Sequence, residues 1–339
     1  MKFNRNDPFS IEIKNPDNPE EIDPINSSVV VGDDLFVIKE NSIYRILTSE
    51  TIDPKNNYPD TKHSYEKIFD LGASSPYVAR AIIQFEEIIK FLSFNQSKQK
   101  DLLSHLWNAN QYLLNAFDCD KSIVEEATNL LPKCDSIIEK HKNRSSIPAL
   151  PQIPDLENKV RTYLNNAKLF LIESFRLLNI FYKMPFGGRK AAHFDSHLEW
   201  VKKNLGEKHS ITKLISQDLE WIRLISECRN AIEHPEEGQE IKIRNISLSA
   251  GNKLSGPAWG YDLRKKLDIQ FDSVDLINDL SVFSYNMLYF FEELFLICID
   301  ENLAIHKLWM LSRIPENKIN KKCPIKYTVT LKNEFVKLN

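Results

Sequence analysis

The stretch SITKLISQDLEWIRLISECRNAIEHP, residues 210–235, decides how the chain is read. At roughly 100° per residue, Ile211, Leu214, Ile215, Ile222 and Ile225 fall on one side, the apolar face of an amphipathic helix. Ser210 is expected to cap its start. Pro235 is expected to stop it, because the residue before a proline is pushed out of the α region, which makes His234 the natural end. Arg229 breaks the pattern by falling in the middle of the apolar face. An arginine there has to be paired, to snorkel, or to face a second surface such as a dimer cleft. Asp218 intrudes on the same stripe three turns earlier, too far along the helix to be its partner.

His234 follows Arg229 by five residues, in the string Arg229-Asn230-Ala231-Ile232-Glu233-His234. Asn230 and His234 are four apart and share a face, so the amide is expected to orient the imidazole. A helix C-terminus favours the imidazolium form. A guanidinium that keeps its charge beside a group that titrates near neutrality suits phosphodiester chemistry. The arginine neutralises the phosphate and the charge that develops on it, and the histidine moves a proton. RNA brings its own nucleophile, the 2′-hydroxyl, so the reaction calls for no metal and no cofactor. Residues five apart on a regular helix diverge by about 140°, so either the helix end is distorted or two copies of the motif meet across an interface; the second is preferred. The bland alternative pairs Arg229 with Glu233 at i,i+4 and leaves His234 as a cap.

Working outward, a helix is expected from Pro154-Asp155 to about Tyr182, with Val160, Leu164, Ala167, Leu171, Leu178 and Phe181 on its apolar face, then a Pro185–Gly188 turn and a shorter helix over about 191–205. Residues 239–262 alternate in strand fashion and read as an inserted β-hairpin or long loop. A long, nearly all-apolar helix follows over about 273–303. Glu292 and Glu293 inside it argue for a buried helix rather than a bilayer span. Upstream, residues 9–47 read as strands, with Ser27–Val31, Leu35–Lys39 and Ser42–Leu47 in a meander, and 48–75 reads as loop. Helical periodicity begins at Pro76 with Val78, Ile82, Phe85, Ile89 and Leu92 and continues through 102–117 and 121–140. Three prolines after residue 147 mark the expected linker. The tail offers strands at 308–314 and 326–332.

With 339 residues and a formal charge of −3, the chain is a mainly α protein of ordinary composition and not one that coats nucleic acid through its net field. Its five scattered cysteines contain no CxxC pair and read as reduced thiols. The N-terminus lacks the apolar run of a signal peptide, and a cytoplasmic protein with no membrane association is expected. The expected organisation is a small β meander and loop over 1–75, a helical block over 76–147, a helical bundle over 154–306 carrying the insert at 239–262, and C-terminal strands over 307–339.

Arg-Asn-x-x-x-His near the end of a helix, within a bundle of about four helices, resembles the HEPN superfamily and its R-x(4–6)-H motif, over roughly residues 154 to 303. The order of helices after Pro154 fits the family, in which the motif lies near the end of the third bundle helix. The resemblance implies a metal-independent endoribonuclease working as a homodimer on an RNA substrate, of the kind found in toxins restrained by an antitoxin partner or in defence against phage. Carried over, Arg229 and His234 are the catalytic pair and Asn230 their polar neighbour. This chain has Glu236 where many family toxins carry an aromatic residue, and its strand-forming insert is larger than in the minimal domain. The alternative function is a non-catalytic bundle used for dimerisation or for nucleotide or RNA binding. An Arg followed by a His at five to seven residues recurs about once by chance in such a chain, so the weight rests on the helix context and on Asn230.

Other candidates are weaker. His193 and His197, four apart with Asp195 and Glu199 nearby, lack the third ligand of a zinc site; they and Glu233 are expected to line the cleft near Arg229. The Gly187–Lys190 turn lacks Walker spacing.

Overall fold

The computed structural model describes residues 25–303 and 308–332, and of Arg189 the backbone alone. The expected strand region over 9–24, bundle residues 304–306 and the last tail residues lie outside them. Among the described residues the protein is mainly α with small sheets. It divides into two units, residues 1–110 with 298–339, and residues 111–297. That division differs from the expected one. Helix α1 (Gln96–His141) is continuous for 46 residues, running through Pro132, so the chain passes from one unit to the other without a linker.

In the first unit, β1 (Ile25–Val31), β2 (Asp34–Lys39), β3 (Ile43–Leu47) and β4 (Ser64–Phe69) form an antiparallel sheet in the order β1-β2-β3-β4. The three expected strands are present. The fourth falls in the segment read as loop, where its short alternation is hidden among Asn, Asp and Pro. β2 is buried on both sides: Val37 packs with Tyr44 and Ile46 on one face, and Phe36 stacks on Trp107 of α1 on the other. The helical run Pro76–Val78, Ala79–Ile83 and Gln84–Ile89 buries Val78, Ile82, Phe85 and Ile89, the stripe expected from spacing. The fully buried side-chain carbonyl of Gln84 accepts the backbone N–H groups of Lys326 and Tyr327 at 2.7 and 2.9 Å, which anchors the C-terminal hairpin β10 (Trp309–Arg313) and β11 (Tyr327–Leu331).

The second unit holds the rest of α1 with α2 (Leu156–Tyr182), α3 (Phe194–Leu205), α4 (Ser210–Glu233) and most of α5 (Leu276–Leu303). By length and composition α5 is apolar enough to cross a membrane, the one such helix among the described residues, yet most of its apolar window is buried. Phe290, Phe291 and Phe295 of α5 meet Phe175, Phe170 and Phe181 of α2, and Trp221 of α4 meets Phe290. Thus α5 is a core helix on which α2 and α4 converge, and burial of its aromatic rings stabilises the unit. The insert is larger than one hairpin. β5 (Glu240–Arg244), β8 (Ala258–Asp262) and β9 (Gln270–Asp275) make an antiparallel sheet in the order β5-β8-β9, and β6 (Ser247–Ser249) and β7 (Lys253–Ser255) pair separately. β9 takes residues expected to begin the long helix.

The Pro-rich segment expected as a linker lies inside this unit. Asn245 pairs its side-chain amide with both backbone groups of Ile153, accepting the N–H at 3.1 Å and donating to the carbonyl at 2.8 Å. Gln152 donates to the Ile246 carbonyl at 2.8 Å. A segment whose backbone groups are met in this way packs as an ordered strap rather than swinging as a linker.

Tyr163 ties α2 to α5: its buried hydroxyl donates to the Leu280 carbonyl at 2.8 Å and lies 3.1 Å from Ser284 Oγ. Tyr163→Phe is expected to lower the unfolding free energy by about 1 kcal/mol. The readout is a lower denaturant midpoint at an unchanged m-value.

Candidate functional site

Helix α4 begins one residue earlier than expected. His209, not Ser210, is the cap, its ring Nδ1 accepting the Ile211 N–H at 3.3 Å. The helix ends as expected: Glu233 is its last residue and His234 takes φ −137° and ψ 67°, driven out of the α region by Pro235. Its buried face carries Ile211, Leu214, Ile215, Ile222, Ile225 and Cys228, and Arg229 is half-buried beside it.

The Arg229 Nε donates to Asn165 Oδ1 of α2 at 2.8 Å. Among the described residues no carboxylate pairs with Arg229, and its two Nη groups carry no protein hydrogen bond. The i,i+4 pair with Glu233 does not form. Glu233 instead accepts from Asn165 Nδ2 at 3.1 Å and lies 3.7 Å from Arg161 Nη1. One carboxamide therefore holds both ends of the motif's last turn, its oxygen on the arginine and its nitrogen on the glutamate.

Asn230 differs from its expected role. Its Oδ1 accepts from Lys168 Nζ at 2.8 Å, and its Nδ2 donates to Glu227 Oε2 at 3.3 Å. The i,i+4 alignment with His234 is used only by the backbone, the His234 N–H donating to the Asn230 carbonyl at 2.8 Å. The charge-assisted bond from the facing helix outcompetes the imidazole for the amide. The His234 ring is exposed at the helix end, with no hydrogen bond among the described residues. Burial and the positive charge of Arg229 hold the Lys168 ammonium below the usual lysine range, with Glu227 acting in the opposite direction.

Arg161, Asn165 and Lys168 are the residues of this candidate site that sequence reasoning missed. Their i, i+4, i+7 spacing forms a polar stripe beside the apolar positions Val160, Leu164, Ala167 and Leu171, and that stripe was the available signal. Together α2 and α4 present a half-buried seam with three cations and two carboxylates, in which Arg229 offers an unoccupied guanidinium edge shaped for a phosphate or carboxylate oxygen pair.

The two earlier histidines separate. His193 is exposed, at a non-helical φ of −98° before α3, and lines an open cleft with Phe186, Lys190, Ser196, Glu199, Trp200 and Lys203. That cleft contains none of the Arg229 seam. His197 is 1% exposed and packs edge-on against Phe175 and beside Phe186 and Phe194. The apolar face of α3 claims it because the helix turns His197 toward α2 while His193 lies before the first turn. Its Nε2 is 3.4 Å from the Lys190 carbonyl. Among the described residues no group of three or more His, Cys, Asp or Glu side chains converges as a metal site, and all five cysteines are free thiols.

No protein-family model matches the chain, and no curated protein or solved structure matches it either.

Burial pushes the His197 pKa down from 6.5 to about 4. The unfolded chain takes up the proton at higher pH than the folded one, so the neutral buried ring stabilises the fold above pH 6.5 and this contribution is lost progressively between pH 6.5 and 4. The full loss corresponds to about 3 kcal/mol. Urea titrations across that range are expected to show this acid sensitivity in the wild type and a shallower pH dependence in His197→Phe.

Proposed function

We propose that the protein is a metal-independent endoribonuclease of the HEPN type, working as a homodimer in the cytoplasm. One observation carries the reading: Arg229 is half-buried and aimed by Asn165, yet among the described residues no carboxylate neutralises it. A half-buried cation without an anion partner gains electrostatic stabilisation when a phosphate arrives. The helical bundle, with the motif closing its third helix after residue 154, supports the resemblance that suggested the activity.

In the reaction the 2′-hydroxyl attacks the adjacent phosphorus and the 5′-oxygen leaves, giving a 2′,3′-cyclic phosphate and a 5′-hydroxyl. Arg229 binds the non-bridging oxygens and meets the charge added in the phosphorane. His234 takes the proton from the 2′-hydroxyl or gives one to the leaving oxygen. Within one chain Arg229 is half-buried in the seam and His234 is exposed at the non-helical end of α4, and no hydrogen bond among the described residues joins them. A second copy bringing its own motif alongside supplies the missing partner. A role as a toxin or phage-defence effector follows from the same resemblance.

A second reading is favoured by a specific feature: among the described residues no side chain bonds to the His234 ring, as a bundle used only for RNA binding would allow. Cleavage of RNA in EDTA separates the two. His234→Ala is expected to lose about 100- to 10,000-fold in rate, and Arg229→Ala about 100- to 1,000-fold. The exposed His234→Ala should melt like the wild type. Equal cleavage by all three proteins, or none by the wild type, sinks the ribonuclease reading.

A further inference from the structure

Lys168 is a cation of the seam that the chemistry above leaves unused. It projects from α2, and the charged groups facing it are Arg229 and Glu227, both on α4. Its ammonium donates to Asn230 Oδ1 at 2.8 Å, and Asn230 in turn donates to Glu227 at 3.3 Å. A half-buried lysine at a helix edge has the reach to snorkel into water. This one stays beside a like charge. Only one of its three donors is needed by the amide, and Glu227, the one carboxylate facing it, is shared with Asn230. Lys168 and Arg229 thus leave a local excess of positive charge between two helices, in surroundings where Coulomb terms are larger than in water.

We infer that Lys168 is a second phosphate-binding cation, so that one phosphodiester is held between Arg229 of α4 and Lys168 of α2, with Asn230 as the residue that positions the ammonium. The ribonuclease reading supplies the substrate, but the anion chemistry of the pair stands without it. The division of labour fits the two side chains. The guanidinium presents a planar fork to two oxygens, and the ammonium a compact charge to a third. Because the phosphorane carries one more negative charge than the diester, the second cation counts for more in the transition state than in the ground state. The lowered pKa of Lys168 has a further consequence. Its charge is lost at a lower pH than that of an ordinary lysine.

The test uses the full chain and two probes: an RNA oligonucleotide, and its 2′-O-methyl counterpart, which lacks the nucleophile. Lys168→Gln keeps a donor for Asn230 and removes the charge, whereas Lys168→Arg keeps the charge. Lys168→Gln is expected to weaken 2′-O-methyl RNA binding and to reduce the slope of log affinity against log salt by about 1. Cleavage should fall roughly 10-fold or more. Lys168→Arg should keep the slope, and it should remove the part of the alkaline fall in rate caused by loss of the lysine proton. Thermal melts of both variants establish that they fold. Wild-type binding measured against pH gives a readout free of mutation, with the slope falling before ordinary lysines titrate.

If Lys168→Gln binds with the wild-type slope and cleaves at the wild-type rate while Arg229→Ala is inactive, the second cation is overturned and the ribonuclease stands. Should no protein cleave but the slopes differ as described, the ribonuclease falls and the cation pair stands. Equal loss of slope in the Gln and Arg variants assigns Lys168 to packing and overturns the inference.

Discussion

Two helices that bury apolar faces against a common third helix must also settle the polar groups left along their shared edge. Between α2 and α4 that edge is governed by the carboxamide of Asn165. Its oxygen accepts from Arg229 and its nitrogen donates to Glu233, so a single neutral side chain spans residues four apart on the facing helix. An aspartate there would neutralise Arg229 and repel Glu233. A lysine would do the reverse. The amide satisfies one hydrogen bond of each without cancelling either charge. Everything proposed for the site depends on that property, because it fixes the arginine while leaving its charge available.

The bundle contains a second polar cluster that behaves differently. Tyr163 bonds to the Leu280 carbonyl and lies beside Ser284, and Ser281 donates to the buried Asp120. Burial raises the Asp120 pKa while hydrogen bonds to Ser281 and Ser284 lower it. Each of these groups finds its partner within the protein, as a structural network should. In the α2–α4 seam the donors of Arg229 outnumber the acceptors offered to them. Two polar clusters of one helical unit thus differ in whether they are complete, and the incomplete one is where an outside ligand gains most.

Much of this was legible in the chain. Periodicity placed α2, α4 and α5 and the buried stripe from Val78 to Ile89, because burial against a core demands that spacing. The end of α4 at Pro235 followed from sterics alone. Less was legible wherever a partner distant in sequence decides the outcome. β4 and β9 are short strands with mixed polarity that exist because a neighbouring strand pairs with them. The Pro-rich stretch before α2 reads as a linker until Asn245 pairs with Ile153. His193 and His197 look equivalent by spacing, yet one lies before the helix begins and the other is drawn into an aromatic core. At the site, Arg229 was conspicuous because it interrupts an apolar face. Lys168 and Asn165 were not, since they lie at the polar margin of α2, where such residues are ordinary.

That asymmetry bears on how the motif should be understood. Arg229 and His234 share a motif but not an environment. The arginine is half-buried and built into the seam, whereas the histidine is exposed at a helix end that Pro235 forces open. Orienting an exposed imidazole on its own loses side-chain entropy with no bond to offset it, so evolution of a self-contained site would require a partner for the ring within the same chain. Asn230, the residue best spaced to be that partner, is committed to Lys168 and Glu227. On the proposed ribonuclease reading, the half-buried Arg229 seam is the anion-binding half and the exposed His234 the proton-transfer half. On that reading, a second surface placed against the end of α4 would order the imidazole by excluding water from it and giving it a hydrogen-bond partner. Regulation of a site so built would act most economically on that surface, because separating two copies would disable the histidine while leaving the α2–α4 seam intact.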